Sequence, residues 1–464
     1  LGSQRRIRSL LRIDRSVQGG RSGSSPEYAS GDLVRRKFIL LLILFVLAVA
    51  NASAATNHYY ISTAGSDSHD CSASDSGHAC LTVQHVIEMF TLGSTGAVIH
   101  VAAGTYTDTL LDSSLTPACA GWHVWFCANF GGTSDSVRLT IQCDAPNYGC
   151  LIRPGGTPDG IADYQASYVT LTGFDAGNIS AGLFGIVGYS GTNDSFVGNF
   201  FHDIGQTNPG YLGQTGCPAE AMIVAVAAAA NWTVAQNKII HFGDDTIYCA
   251  FAHGVYLSNA PTIQNNIISR VPGWGVQLSA ADCNAVITNN VIFDNREGGI
   301  VTDGSGAGCS VGSAGRNTIT NNIIAYNGVY ANHTAAGQHY AIKAYDTEAS
   351  NLIANNIWYG NSPTDTCDGC IGTITGNITS EAPSTTFVNF QDDGSGDYHL
   401  KAGSLAIKGG TTSGAGSPGC VSACSPTVDF AGATRSSPPD IGAYLYSNSS
   451  SPSAGMLLSA EKMP

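Results

Sequence analysis

Lys343 sits in the stretch "YAIKAYD", Tyr340 to Asp346, with His339 just before it. An amine, a phenol, an imidazole and a carboxylate within a few residues are parts from which proton transfer can be built. A lysine among acids keeps its proton, so base work needs a nearby cation or desolvation to lower its pKa. Asp303 and Asp346, with Glu348 close by, offer the oxygen ligands a hard cation takes. Tyr345 or His339 could return a proton. The competing reading is a solvated lysine among surface carboxylates.

A second cluster lies in "HFGDDTIYCAFAHGVYL". Asp244 and Asp245 are adjacent carboxylates, and a carboxylate pair can supply acid and base in glycoside hydrolysis. The bland alternative makes them a polar corner, with His253 a stacking or turn residue. Tyr256, Trp274, Tyr340 and Tyr345 could stack on sugar rings. Gln277 and His253 could bind the same substrate through hydrogen bonds. The twelve histidines lack a zinc-like spacing, and neither a phosphate-binding glycine loop nor a nucleophile elbow is found.

The elements that would position these residues repeat. "NNIISRVPGWGVQLS" begins at Asn265, "NNVIFDNREGGIVTDG" at Asn289, "NNIIAYNGVYANH" at Asn321 and "NNIWYGNS" at Asn355, with a diverged copy at Gln236. Each copy has a short run in which apolar residues alternate, as in Val255/Leu257, Val276/Leu278 and Ile342/Ala344. Alternation puts those side chains on one face and Tyr256, Gln277 and Lys343 on the other. One copy cannot bury its own apolar face, whereas stacked copies can, which predicts a parallel solenoid. Asparagine suits the corners because it tolerates left-handed backbone and bonds to nearby backbone. Stacked asparagines can also form ladders. Uneven spacing means that one loop per coil varies. Aligning Gly254, Gly275, Gly299 and Ala341 predicts two outward columns. One is Tyr256, Gln277, Val301 and Lys343, and the other is Ser258, Ser279, Asp303 and Tyr345. The glycines are expected to leave room for a flat ligand. "LTVQHVIEMF" spaces Val83, Val86, Ile87 and Phe90 as a helix with Thr82 as N-cap, a fitting cover for the open end.

Composition agrees. Charged residues make up only 12% of the 464, and the 56 glycines favour short strands and turns over helices. "LVRRKFILLLILFVLAVANASAAT" has the basic, apolar and small-residue parts of a secretory signal. We read 35–54 as that signal, the alternative being an uncleaved anchor. Residues 1–34 read as over-translated or disordered sequence, and 447–464 as a disordered tail. Without residues 1–54 the chain has 11 basic and 31 acidic residues, a formal charge of −20. That excludes a nucleic-acid-binding face and sets polyanions at a distance unless a cation intervenes. An even count of cysteines in an exported chain favours disulfides, although connectivity cannot be read from sequence. Local pairing is the preferred arrangement: Cys71/Cys80, Cys119/Cys127, Cys143/Cys150, Cys217/Cys249, Cys283/Cys309, Cys367/Cys370 and Cys420/Cys424. The "CDGC" at Cys367 has redox or metal binding as its alternative.

"YYISTAGSDSHDC", "ACLTVQHVI" and "VIHVAAGTYTDT" resemble the opening segment of secreted bacterial right-handed parallel β-helix proteins. "GDYHLKAGSLAIKGG" and "DFAGATRSSPPDIGAY" resemble their closing segment, of the choice-of-anchor Q type, although Leu445 replaces the glutamate usual after "GAY". The resemblance implies an all-β, single-stranded right-handed parallel β-helix with an N-terminal capping helix. It places the β-helix at 55–385 and the closing segment at 386–446. The scaffold hosts many activities. Similarity to its pectate and alginate lyases implies β-elimination on a uronic-acid-containing glycan, with Lys343 as base and Ca²⁺ held by Asp303 and Asp346. The rival is a non-catalytic carbohydrate-binding or cell-surface structural protein. A third reading, from the resemblance of Gly243-Asp244-Asp245 and His253-Gly254 to polygalacturonase motifs, is a glycosidase. That family's Asn-Thr-Asp element is missing here, and "AIK" lacks its arginine. The expected partner is a polysaccharide, and the expected state a secreted or periplasmic monomer without stable membrane insertion.

Overall fold

The computed structural model describes residues 56–89, 95–109, 122–210, 213–225, 228–247, 249–278, 283–302, 315–328, 340–345, 350–362, 364–416, 420 and 424–447. The expected signal sequence and tail lie outside them, as do Ser279, Asp303, His339, Asp346 and Glu348. Three parallel sheets dominate, and the chain visits them in turn. The first sheet has eleven strands, from Asn57–Ile61 to Thr373–Thr375. The second has nine, from Gly104–Tyr106 to Ile357–Tyr359, and the third nine, from Phe126–Ala128 to Thr364–Asp368. Every strand pairs with its equivalent one coil away. The chain is a single-stranded right-handed parallel β-helix.

The apolar alternation explains the core. Val255, Val276, Ile300 and Ile342 pair in register and are fully buried, forming one interior stripe. The stripe Ile263, Ile287, Ile319 and Ile353 faces it from the first sheet.

The asparagine pairs form the corner between the first and second sheets. The first member has left-handed backbone, with φ of 58° at Gln236, 54° at Asn265, 58° at Asn289, 58° at Asn321 and 55° at Asn355. The second member points inward. The Oδ1 of Asn322 accepts the backbone N–H of Asn290 at 3.0 Å, and that of Asn356 accepts the N–H of Asn322 at 2.9 Å. Each Nδ2 donates to a carbonyl of the preceding coil, such as Asn322 to Ile287 at 2.9 Å. This ladder runs from Asn199 to Asn377. Shorter ladders stack Asn295, Asn327 and Asn361 at the next corner, and Asn317 and Asn351 at the third. The extra length of the longer coils falls at different corners, between Thr302 and Thr318 in one and between Ala325 and Tyr340 in the next.

The helix Val83–Met89 covers the amino-terminal end, with Val83, Val86 and Ile87 fully buried. Thr82 Oγ1 accepts the His85 N–H at 3.2 Å as the N-cap. Gln84 Oε1 accepts the Cys127 N–H at 2.9 Å, satisfying a donor that the sheet end would leave open.

The closing segment does not sit on the far end. It lies along the outer face of the second sheet, where Phe387, Tyr398, Leu400, Phe430 and Ile441 pack on Ile267, Val291, Phe293 and Ile323. The first asparagines of the pairs hold its backbone: Asn265 donates to Val428 O, Asn289 to Asp440 O, Asn321 to Thr411 O and Asn355 to Gly409 O, all within 2.8 Å. Buried Arg435 donates to Asn265 Oδ1, Gly442 O and Ala443 O. The outer face of the second sheet is therefore closed to ligands over these coils.

The disulfides Cys71–Cys80, Cys143–Cys150, Cys217–Cys249, Cys367–Cys370 and Cys420–Cys424 join neighbours as expected. Cys127 and Cys283 are also disulfide-bonded, while Cys119 and Cys309 lie outside the described residues. Among the described residues no helix is long and apolar enough to cross a membrane.

Candidate functional site

Stacking turns the third sheet's outward residues into one column. Tyr256, Gln277, Val301 and Lys343 are register partners in that order. A register shift after Tyr340 then sets Asp368 opposite Lys343. Sequence reasoning missed Asp368 because "CDGC" drew attention to its cysteines. Period two would have found it, since Cys367 pairs with inward Ile342 and the next residue must face out.

Lys343 Nζ donates to Asp368 Oδ2, and its ammonium lies 5.2 Å from the ring centroids of both Tyr340 and Tyr345. Burial pulls the lysine pKa down, but the hydrogen bond and charge of Asp368 outweigh burial and hold it above the ordinary value. Lys343 is thus a positioned cation paired with Asp368, in line with the expectation that a lysine among acids holds its proton. Tyr345, beside it, is 49% exposed.

Other expected site residues divide. Tyr256 and Gln277 are half-buried on the column. Trp274 and His253 are only 3% and 2% exposed, so neither presents a face to a sugar. Trp274 lies over Gly298 of the next coil, where a side chain would collide with the indole. His253 accepts the Trp274 N–H on Nδ1 at 3.0 Å, and burial pushes its pKa down to about 3, so it is neutral and structural. The stacked glycines also serve the interior. A Cβ on Gly254 would lie 2.6 Å from the Gly275 carbonyl oxygen and 2.7 Å from Ile268 Cγ2, so the space is needed by the next coil and not by a ligand. Ser258 is buried, so the second expected column begins below the surface.

Asp244 and Asp245 form a polar corner. Asp244 Oδ1 accepts the Thr246 N–H at 2.9 Å and its hydroxyl at 2.6 Å. Asp245 Oδ2 accepts Arg270 Nε at 2.6 Å. Asp244 bonds within its own corner and Asp245 to an arginine of the next coil, which matches the polar-corner alternative. Around the column, Asp303, His339 and Asp346 lie outside the described residues. The one metal-like group among described residues is Cys71, Cys80 and His85, and its cysteines are tied in a disulfide.

A charged row at the corner between the second and third sheets also escaped sequence reasoning. Arg153 and His202 both reach Asp175, at 2.5 and 2.7 Å. His202 and His241 reach Asp203 at 2.7 and 2.6 Å. Burial lowers the His202 pKa, but the bonds to Asp175 and Asp203 raise it further. Hydrogen bonds from His202 and His241 hold Asp203 far below the usual carboxylate range. The left-handed backbone at Asp203, His241, Arg270 and Asp294 (φ 52°, 62°, 58° and 52°) was the available clue, since it marks one repeated corner. A cavity of about 370 Å³ follows, lined by Asp245, Arg270, Asp294, Arg296, Asp392 and Asp393.

A family model described as a right handed beta helix region matches residues 149–312. Comparison with curated proteins finds no match. Among solved structures, the chain is similar to a pectate lyase, Pel9A, at 14% identity and TM-score 0.46, covering 86% of this chain and 98% of that one. An alginate lyase from Paenibacillus sp. str. FPU-7 is similar at 14% identity and TM-score 0.38, over 68% and 99% of the two chains. The A-module of the mannuronan C-5 epimerase AlgE4 of Azotobacter vinelandii is similar at 10% identity and TM-score 0.35, over 61% and 68%.

Proposed function

We propose that this chain is an exported protein that engages a polysaccharide along the outer face of its third sheet, as a binder. One observation carries the reading: an outward column carries Lys343, paired with Asp368 and set beside two tyrosines, one of them exposed. An extended sugar chain matches a row of side chains repeated at the strand spacing. The tyrosine rings offer apolar faces to pyranose C–H groups, and Lys343 offers a cation to a hydroxyl or carboxylate. Disulfide bonding supports passage through an oxidising compartment.

The enzymatic version is β-elimination on a uronate, with Lys343 as base and Ca²⁺ held by Asp303 and Asp346. It requires Lys343 to lose the proton that Asp368 stabilises, which a bound cation would have to offset.

The test is to pass the secreted protein over immobilised pectate, alginate and neutral glycans, with calcium and then chelator. Ultraviolet absorbance of unsaturated uronate and release of reducing ends are followed in parallel. Retention without either product is expected. Lys343→Ala and Tyr345→Ala should each weaken retention by about tenfold. Lack of retention on every glycan sinks the proposal. Unsaturated product that vanishes in Lys343→Ala would establish the enzymatic version instead.

A further inference from the structure

Upstream of Tyr256 the outward column continues through Val224, Val187 and Asp163. Here it turns apolar. Val187 and Val224 join Val124, Phe184 and Ala221 in a separate cluster outside the solenoid core, with Leu183 and Tyr256 packed against it. Leu183 also lines a cleft of about 520 Å³ with His123, Pro158, Asp159, Pro209 and Ala219. Each wall comes from the segment entering a different third-sheet strand: His123 before Phe126–Ala128, Pro158 before Ala162–Tyr164, Leu183 before Ile186–Gly188 and Ala219 before Ala221–Ala225.

We propose that this cleft binds an aromatic ring carried on a sugar, as an aryl or aromatic acyl substituent. The sugar half of the proposal rests on the reading of the third sheet as a glycan-binding face. Three features select this ligand. The size lies within the range of small-molecule sites, and a methyl or acetyl group would leave most of it empty. Two prolines, a leucine and an alanine give rigid apolar walls that suit a flat ring. The polar wall groups are largely satisfied from within. Asn208 donates to Ala181 O at 2.8 Å and accepts the Gly210 N–H at 2.8 Å. Asp159 Oδ2 accepts the His123 N–H at 2.8 Å and lies 3.4 Å from the same residue's Nδ1. Nε2 of the part-exposed His123 is left to bond one polar group, such as a phenol or an ester carbonyl. Leu183, shared by the cleft and the buried outer cluster, sets the cleft beside that column.

The probe is methyl ferulate, followed by saturation-transfer NMR on the full chain, with methyl cyclohexanecarboxylate and methyl glucoside as controls. Wild type should saturate the ferulate ring protons and ignore both controls. Ala219→Trp, which fills the cleft, should abolish the effect, and His123→Ala should weaken binding about tenfold. Circular dichroism and thermal melting establish that each variant is folded. Tyr345→Ala should leave ferulate binding intact while weakening retention on unsubstituted glycan about tenfold. Ferulate binding without retention on any glycan would sink the third-sheet reading alone. Silence from wild-type protein, an unchanged signal in both cleft variants, or equal binding of the cyclohexane ester would overturn the cleft proposal.

Discussion

Replacing Asn322 with alanine tests the asparagine ladder directly. Asn322 is fully buried, and its amide does two jobs. Oδ1 accepts the Asn290 N–H at 3.0 Å and Asn290 Nδ2 at 2.9 Å. Nδ2 donates to Ile287 O at 2.9 Å and to Asn356 Oδ1 at 3.0 Å. Alanine keeps the backbone bond to Asn356 but leaves the Asn290 N–H without an acceptor in the dry interior. Asn290 Nδ2 retains Ile263 O and Thr288 O, so its loss is small. Ile287 O loses its side-chain donor. Ile287 itself stays in the ladder with Ile319, so the main cost is the unsatisfied Asn290 N–H, about 1–3 kcal/mol. The control is Asn178→Ala, at an exposed corner residue with φ of 58°, which should cost only the left-handed penalty of about 1 kcal/mol. Urea unfolding measures both. Hydrogen exchange adds a local readout, since protection of the Asn290 amide should collapse in Asn322→Ala alone. Equal losses in the two variants, or an unchanged Asn290 amide, would refute the ladder as a source of stability.

Three further outcomes follow from the charged groups. Asp368→Asn removes the charge that outweighs burial at Lys343, so the lysine pKa should fall, as followed by NMR of Nζ; an unmoved value would detach the pair from the shift. At the corner row, the raised His202 pKa contributes stability that is complete below about pH 6.5 and fades as pH rises through the raised value. The depressed Asp203 pKa contributes stability that is complete above about pH 4 and is lost on further acidification. Melting temperature against pH should therefore decline on the alkaline side less steeply in His202→Gln than in wild type, and parallel profiles would contradict the assignment. Arg435→Met removes the buried donor of Asn265 Oδ1, while the carbonyls of Gly442 and Ala443 keep Asn289 Nδ2 and the Phe430 N–H, so the cost should be about 1–3 kcal/mol. Limited proteolysis should then cut within 386–447 while the coils stay intact; simultaneous loss of the coils would show that the segment is not separable.

Much of the scaffold can be read in advance because its rules are short-range. The interior stripe through Val276 and Ile342 follows from period two. The column from Tyr256 to Lys343 follows once the asparagine corners set the register. Thr82 and the spacing of Val83, Val86 and Ile87 announce the cap. The candidate sites were harder. Trp274 looks exposed beside Pro272-Gly273, yet it is buried because Gly298 of the following coil lets the indole lie flat. His253 resembles a catalytic histidine and is instead an acceptor for that same tryptophan's backbone. The cleft around Leu183 draws one wall from each of several coils, so no single stretch of sequence describes it.

By itself, the sequence determined the solenoid, its inward and outward faces and the corner chemistry, because these depend on backbone preference and alternation over a few residues. Tertiary structure alone decided the pairing of Lys343 with Asp368, the burial of Trp274 and His253, the closing of the second sheet by the closing segment, and the cleft. Each of these depends on which residue of another coil comes within a few ångströms, and that follows only when loops of unequal length have been closed and the coils stacked.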